Sequence, residues 1–404
     1  MTEIISASRP VTFELQIQIC RCVMKEYPLV PLGTLISQAK KVRCGEEDYP
    51  VLSMTMHNGL IFQDKKFKKV IASQDRSNYK VVYRNQLVIS FPIDEGVLAA
   101  QRITDAGIVS PAYGIWDIDQ EKILPEFLEC ALRCERALNY YKSKLRGSTA
   151  RRRSLPTSTL LAFNVPLPSI SEQLNVLAIV HKLKSVIDTR KEEINVLDKL
   201  VKARFVEMFG SQRKSCDLSS YIHELRSGKS LAGSEVCKNK VLKTGAATFG
   251  WFDPNQYKYL PNDYQPLPEH RVETGDLMIS RMNTPNLVGA CSYVFKAPED
   301  MYYPDRLWKV IPTEKTNLIF LWQLLWDDEV RRQIKEKASG TSGTMHNISK
   351  ARLLKVKCID VPIEIQNQYA NDVVHVVKSK VAIDHGVILI RKALQSGYHN
   401  VWGN

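Results

Sequence analysis

Apolar residues recur every seven positions over two long stretches of this chain. In the first stretch Val180, Ile187, Ile194, Val201 and Met208 occupy one heptad position, with Leu183 and Leu197 at the intervening one. Such a repeat predicts a helix with a single apolar seam, suited to pairing with another helix. Ser169, with Glu172 three places on, makes a capping-box start, and Gly210 stands where the helix should stop. Moving 193 residues along gives Val373, Lys380, Val387, Leu394 and Val401, with Val376, Ile383 and Ile390 between them. Lys380 is the one break in that second seam. A helix of about 40 residues runs roughly 60 Å, longer than one compact domain needs. The two stripes are therefore expected to pair with each other, antiparallel.

The rest of the chain has a different texture. Short apolar runs such as "QLVISF" and "DLMISRM" alternate with Gly, Pro, Asn and Asp turns over about 30–155 and 213–348. They predict two sheet-rich globules with a few helices each, so the fold class is α+β. These globules repeat as well. Leu124 to Leu155 aligns with Asn317 to Ile348, placing Phe127 on Phe320 (320 − 127 = 193) and Gly147 on Gly340 (340 − 147 = 193). Pro111 and Pro304 keep the same shift, as do "FVEMFG" (205–210) and "YHNVWG" (398–403). Further upstream the match drifts by a few residues, pairing "NQLVIS" (85–90) with "GDLMIS" (275–280) and "YPVL" (49–52) with "NKVL" (239–242). The expected organisation is a globule over 1–160, a helical spacer over 161–212, a second globule over 213–355 and a second spacer over 356–404. Residues 1–30 carry no pattern that assigns them a role.

Composition narrows the partners. The 404 residues include 56 Lys and Arg against 43 Asp and Glu, a formal net charge of +13. An excess of that size favours polyanions, nucleic acid first and anionic membrane behind it, without implying sequence preference. No segment approaches the roughly 18 uncharged apolar residues of a membrane span, and Met1 to Tyr27 lacks the pattern of a signal peptide. A cytoplasmic protein with no membrane partner is expected. The nine cysteines are irregularly spaced. Neither close pair, Cys20 with Cys22 or Cys130 with Cys134, has zinc-site spacing, so reduced and mostly buried thiols are expected, with no metal and no cofactor.

Two globules on paired antiparallel helices would be related by an approximate two-fold axis within one chain. Duplex DNA has local two-fold symmetry of its own, so a basic protein of this form can read two half-sites a fixed distance apart. The sequence then resembles a known family. A proline followed within five residues by glutamine leads into each helix (Pro168 and Gln173; Pro362 and Gln366). The helix "PLPSISEQLNVLAIV" ending in "ARFVEMFG", the second helix start "VPIEIQNQYANDV", the paired Gly-Ser/Thr segments and the "GDLMISR" strand complete the pattern. Together they resemble the specificity subunit of type I restriction-modification systems, over nearly the whole chain. The resemblance implies a non-catalytic subunit whose globules are target-recognition domains, each reading half of a split sequence in double-stranded DNA. It further implies that the paired helices act as a ruler and dock two copies of an adenine N6-methyltransferase subunit, with a restriction and translocase subunit joining the assembly. The competing reading is a basic coiled-coil adaptor without sequence-specific DNA binding.

The residues agree that the chain is not an enzyme. It has neither the Gly-rich loop with Asn/Asp-Pro-Pro-aromatic tetrapeptide of an adenine methyltransferase nor the Gly-x-x-x-x-Gly-Lys-Ser/Thr cradle of a nucleotide hydrolase. The closest nuclease-like string is "YPDRLWKV" (303–310).

Two equivalent segments are the candidate DNA contacts. "GSTARRR" in the first copy and "GTSGTMH" in the second keep glycine and hydroxyls while their other side chains change, as reading loops with different targets should. They supply Gly147, Ser148, Thr149, Arg151, Arg152 and Arg153, and Gly340, Thr341, Ser342, Thr344 and His346. Lys142, Lys144 and Arg146 precede the first and would add backbone contacts. An arginine fork can take guanine O6 and N7 or a phosphate, and the sequence leaves both open. In the second copy the "ISRMNTPNLVG" strand and loop adds Ser280, Arg281 and Asn283. Its first-copy counterpart carries Asp94 and Glu95, which would repel phosphate. The aromatic run Phe249 to Leu260 and the basic strip Asp64 to Lys69 are lesser candidates, each balanced against a core or solvated role.

Overall fold

The computed structural model describes residues 27–56, 58–65, 76–145, 155–212, 214–342 and 345–402. The chain divides into two compact units, Met1–Glu192 with Asp384–Asn404, and Glu193–Ile383. Both long helices change unit midway.

In the first unit the strands are β1 (Leu29–Pro31), β2 (Ile36–Gln38), β3 (Leu52–Thr55), β4 (Gly59–Phe62), β5 (Lys80–Tyr83), β6 (Leu87–Ile89), β7 (Leu98–Ala100), β8 (Ala106–Val109), β9 (Gly114–Ile118) and β10 (Asn164–Pro166). The helices are α1 (Pro125–Arg133), α2 (Glu135–Lys144), α3 (Thr157–Leu161) and the start of α4 (Ile170–Phe209). The second unit holds β11 (Ser215–Asp217), β12 (Ile222–Ser227), β13 (Lys240–Leu242), β14 (Tyr257–Tyr259), β15 (Leu277–Ser280), β16 (Met282–Asn283), β17 (Cys291–Tyr293), β18 (Met301–Tyr302), β19 (Leu307–Pro312), β20 (Ser339–Ser342), β21 (Met345–Asn347) and β22 (Lys357–Ile359). Its helices are α5 (Leu318–Leu324), α6 (Asp328–Lys337), α7 (Lys350–Leu354) and the start of α8 (Ile363–Trp402).

The repeat read from the sequence is a repeat of topology. The first unit has a four-stranded antiparallel sheet in the order β2-β9-β6-β7, and the second has β12-β19-β15-β17. The central strands β6 and β15 are the "NQLVIS" and "GDLMIS" segments. Each unit also closes on a short antiparallel pair, β1 with β10 and β11 with β22, which ties its first strand to the strand leading into the long helix.

The long helices begin inside the cores of their own globules. Val176, Leu177 and Val180 of α4 share a core with Phe127, Leu128 and Leu132. Tyr369, Val373 and Val377 of α8 share one with Phe320, Leu321 and Trp322. Each fully buried Phe or Leu contributes about 1.5–3 kcal/mol of burial free energy. The first turns of each helix therefore belong to the globule, and the compact units divide the chain further along, within the helices, after Glu192 and after Ile383. Val180 packs in the core of the first globule, while the cluster that holds Val373 also takes Phe209 and has Val201, Phe205 and Met208 of α4 packed against it.

The seven described cysteines are free thiols, four of them buried, and Cys20 and Cys22 lie outside the described residues. No helix among the described residues is long and apolar enough to cross a membrane.

Candidate nucleic-acid interface

Two segments that are far apart in the sequence of the second unit come together as one small sheet. Its order is β16-β21-β20, so the "ISRMN" strand lies beside the "GTSGTMH" hairpin. Met282 pairs with Asn347 and Asn283 with His346, while Ser339 pairs with Asn347 and Ser342 with Met345 across a register shift. Gly340 sits in that irregularity, and a Cβ there would overlap the Met345 carbonyl oxygen. Glycine is thus required by the hairpin's own backbone. Arg281 is fixed at both ends of its peptide, its N–H donating to Arg306 O (3.0 Å) and its carbonyl accepting from Ile348 N–H (3.1 Å). Its guanidinium Nε donates to Asn347 Oδ1 at 3.4 Å, a long bond that leaves the remaining fork atoms for a ligand. Arg281, Asn283 and His346 are half-buried, and Met345 is exposed. The side chains of Thr341 and Ser342 and the whole of Thr344 lie outside the described residues.

Two candidates are placed differently from the sequence reading. Ser280 is 0% exposed and its hydroxyl donates to Met282 O (3.2 Å), so it supports β16 from within and is corrected from a DNA contact to a core residue. It is the last residue of a strand buried on both faces. Asn283 is partly committed: its Oδ1 accepts from Thr284 N–H (2.9 Å) and its Nδ2 donates to Thr248 Oγ1 (3.4 Å).

Behind the sheet, the loop after β16 is held by a residue that the sequence reading passed over. Arg331 on α6 is buried, donates from Nη2 to Asn286 O (3.1 Å), and lies 5.1 Å from the Trp326 ring centroid. Burial pulls its guanidinium below its ordinary range. Nothing in "DDEVRRQIKEK" distinguishes it from the exposed Arg332 beside it. The same loop ends at Gly289, whose φ of +73° repeats the +75° of Gly96, 193 residues earlier. A Cβ on Gly289 would stand 2.5 Å from Ile334 Cγ2. Gly289→Ala is expected to destabilise the second unit by about 2–3 kcal/mol, combining left-handed strain with an overpacked contact. Chemical denaturation reads this, and a loss under about 0.5 kcal/mol would show that the loop shifts freely.

In the first unit the equivalent loop, Arg146 to Ser154, lies outside the described residues, so Arg146, Gly147, Ser148, Thr149, Arg151, Arg152 and Arg153 have no described placement. Its flanks are described. Lys142 and Lys144 are exposed in the last turn of α2, where cations complement the helix dipole. Tyr140 Oη donates to Thr159 O (2.9 Å), joining the end of α2 to α3, and the Tyr140 ring lies 5.1 Å from Phe163. Of the strip Asp64 to Lys69, residues 66–69 are outside the described set.

What carries each globule onto its helix is a buried glutamine, and here the two units match bond for bond. Gln173 Oε1 accepts from Leu124 N–H (2.8 Å) while its Nε2 donates to Lys122 O and Pro168 O (both 2.9 Å). Gln366 Oε1 accepts from Asn317 N–H (3.0 Å) and its Nε2 donates to Lys315 O (3.0 Å) and Val361 O (2.8 Å). All three partners differ by 193. Both side chains are 0% exposed. Beside the first, Ser169 and Glu172 form the expected capping box, with Ser169 N–H donating to Glu172 Oε2 (3.0 Å) and Glu172 N–H to Ser169 Oγ (3.4 Å). The glutamines were visible in the sequence only as part of a pattern, and their function as clamps was not.

Within the second unit the two helical segments pair antiparallel. Asp198 meets Lys380, Arg204 meets Asp372, and the Phe205 and Phe209 rings pack on Tyr369, so rising numbers on α4 face falling numbers on α8. Lys380, the break in the seam, is 7% exposed at its side chain. Its Nζ sits 2.5 Å from Asp198 Oδ1 and 3.7 Å from the Trp251 ring centroid. Leu183 and Ile187 in the first unit are buried, as is Val387; Ile194, Leu197, Val201, Val376, Ile383 and Ile390 are half-buried. The side chain of Leu394 is outside the described set.

Trp251 thereby places part of the Phe249–Leu260 run against helix α8 and Trp322 (5.4 Å), with Leu260 buried and Phe249 80% exposed. The "YPDRLWKV" string is also structural. Tyr303 and Trp308 are buried, Asp305 is bonded to Ser230, and Lys309 is paired with Glu273 (2.7 Å) and Asp276 (3.0 Å). Burial raises the Asp276 carboxyl above its usual range, against the pull of the Glu273 N–H and Lys309.

Comparison with known proteins follows the same lines. No family model matches the chain. It is 25% identical over 202 residues to the specificity subunit of the type I restriction enzyme MjaVIII from Methanocaldococcus jannaschii, covering 44% of this chain and 47% of that one. It is 24% identical over 165 residues to the EcoKI specificity subunit of Escherichia coli, covering 36% of each. These matches thus span about half or less of each relative's length. Among solved structures, the S subunit of a type I restriction-modification system from M. genitalium superposes with a TM-score of 0.50 at 12% identity, over 94% of this chain and 96% of that one. A chain from a structure describing complex assembly and conformational transition of a type I system reaches a TM-score of 0.56 at 15% identity, over 93% and 97%.

Proposed function

We propose that this chain, whose fold is that of the specificity subunits of type I restriction-modification systems, is the sequence-reading and non-catalytic member of such a complex. Each unit reads one half of a split target in double-stranded DNA. The long helices hold the two halves of the reading at a set interval and dock two adenine N6-methyltransferase subunits, which a restriction and translocase subunit joins. The observation that carries the reading is the doubled fold: the same sheet order recurs in both units and the same buried glutamine clamp recurs at a shift of 193, while the loop segments beside them differ. A repeated scaffold with divergent loops is the economical way to read two different half-sites.

Two further features support it. In the second unit, Arg281 directly precedes β16 and bonds Asn347 of β21, beside the small sheet that carries His346, with an arginine fork able to take guanine O6 and N7. Along the helices Val196, Leu200, Val206 and Val381 of the second unit, and Leu174, Ile388 and Leu389 of the first, are exposed apolar side chains of the kind that partner subunits cover.

Salt titration of duplex binding tests the reading. With six to ten phosphates engaged, affinity is expected to fall roughly 10³ to 10⁵-fold between 50 and 200 mM salt. Arg281→Ala should cost about 1–3 kcal/mol on the cognate duplex and relax preference in one half-site only. Binding indifferent to salt, with no preferred sequence, would instead support a basic coiled-coil adaptor.

A further inference from the structure

Beside the β16-β21-β20 sheet, the second unit has a cavity of about 200 Å³ whose lining includes Ser230, Lys243, Thr244, Lys258 and Arg306. Three separate elements bring the cations there. Lys243 follows β13, and Lys258 lies on β14 opposite Val241. Arg306 immediately precedes β19, and its carbonyl accepts the Arg281 N–H, so the cavity and the candidate reading strand share a hydrogen bond. The remaining wall is pinned in place. Gly228 N–H donates to Pro304 O (3.1 Å), Gly233 N–H to Tyr259 O (2.8 Å), and Asp305 N–H to Ser230 Oγ (3.2 Å).

Some cations of this unit are paired. Lys309 has Glu273 and Asp276, Arg226 has Glu224, and Lys238 has Asp300. Lys243, Lys258 and Arg306 are exposed and have no ion pair among the described residues. Three like charges around one small cavity repel each other, and a bound anion relieves that repulsion. Lysine as a point charge and arginine as a planar fork are the side chains that hold phosphate oxygens.

We propose that Lys243, Lys258 and Arg306 grip a backbone phosphate of the DNA half-site read by the second unit. This rests on the DNA-reading function above. Phosphate contacts of this kind set the register of a protein on the duplex while the adjacent strand carries the sequence reading. None of the three stands in a motif, because they come from three separated places in the sequence and only folding unites them.

The test compares the full-length chain with the Lys243→Ala/Lys258→Ala/Arg306→Ala variant by fluorescence anisotropy, on a selected duplex and a scrambled one, across 50–200 mM potassium chloride. The slope of log affinity against log salt is expected to shrink by about 1, the contribution of the single phosphate the three cations hold together. Affinity should fall by a similar factor on both duplexes, with the preferred sequence unchanged. An unfolding temperature equal to wild type shows that the exposed substitutions leave the fold intact, and Lys→Gln versions of the two lysines repeat the measurement with the side-chain length kept. A second arm uses inorganic phosphate at matched ionic strength, which should raise the unfolding temperature of the wild type more than that of the variant. An unchanged slope in the variant overturns the proposal, and a phosphate shift confined to wild type alongside it assigns the cavity to a small anion instead. A wild-type chain that binds no duplex at any salt overturns the DNA-reading function as well.

Discussion

Gln366→Leu is expected to destabilise the second unit by about 3 kcal/mol. Leucine fills nearly the same volume but satisfies none of the three backbone groups that the amide serves, the Asn317 N–H and the Lys315 and Val361 carbonyls. A buried donor or acceptor left without a partner costs about 1–3 kcal/mol, so three would cost about 3–9 kcal/mol, and partial rehydration of the two part-buried ones keeps the sum at the low end of that range. At 1.4 kcal/mol per decade, the folded-to-unfolded ratio drops by more than a hundredfold. Gln173→Leu should act on the first unit by the same amount, since the bonds are the same. Urea denaturation with a probe in each unit should show one transition move and the other stay. A loss below about 1 kcal/mol would mean that water replaces the amide readily and that the matching of the two units is incidental to stability.

The second large effect concerns the helix seam. Asp198→Ala leaves the Lys380 ammonium buried with only the Trp251 ring for a partner. Breaking a buried pair costs about 3–5 kcal/mol. Because the Asp198 side chain is 45% exposed, solvent screens part of this, and about 2 kcal/mol is expected. Lys380→Ile, which restores the residue found 193 positions earlier at Ile187, should be neutral or stabilising, since apolar replacements of buried pairs often are. The double variant Asp198→Ala/Lys380→Ile should recover most of the loss. If Asp198→Ala alone were neutral, the pair would be ornamental and register would rest on the apolar seam.

The sequence carried the repeat, both helices and the capping box, because these depend on spacing and local chemistry. Heptads at 180, 187 and 194 and the Ser169–Glu172 pair can be recognised without knowing what touches them. That the first turns of each helix also lie in a globule core was not legible, since apolar periodicity states which face is buried and not against what. Lys380 read as a defect for the same reason: its partners Asp198 and Trp251 are 182 and 129 positions away (380 − 198 = 182; 380 − 251 = 129).

The candidate interface was legible in part. The "ISRMN" and "GTSGTMH" segments were each singled out on composition, but their union in one sheet depends on β16 pairing with β21, 63 positions on (346 − 283 = 63). Ser280 was misplaced because a serine between an apolar strand and an arginine reads as polar surface, whereas the strand's last residue is still inside the core. Arg331 left no trace, since only burial separates it from Arg332.

The most direct test of two readers in one chain is to map methylated adenines in DNA from cells carrying this chain together with the adenine methyltransferase subunits proposed to dock on it. The expected result is one motif made of two short defined blocks separated by a gap of constant length and unconstrained sequence, with exchange of residues 213–355 for another reader changing a single block. A motif of one contiguous block, or a gap that varies freely from site to site, would contradict the account.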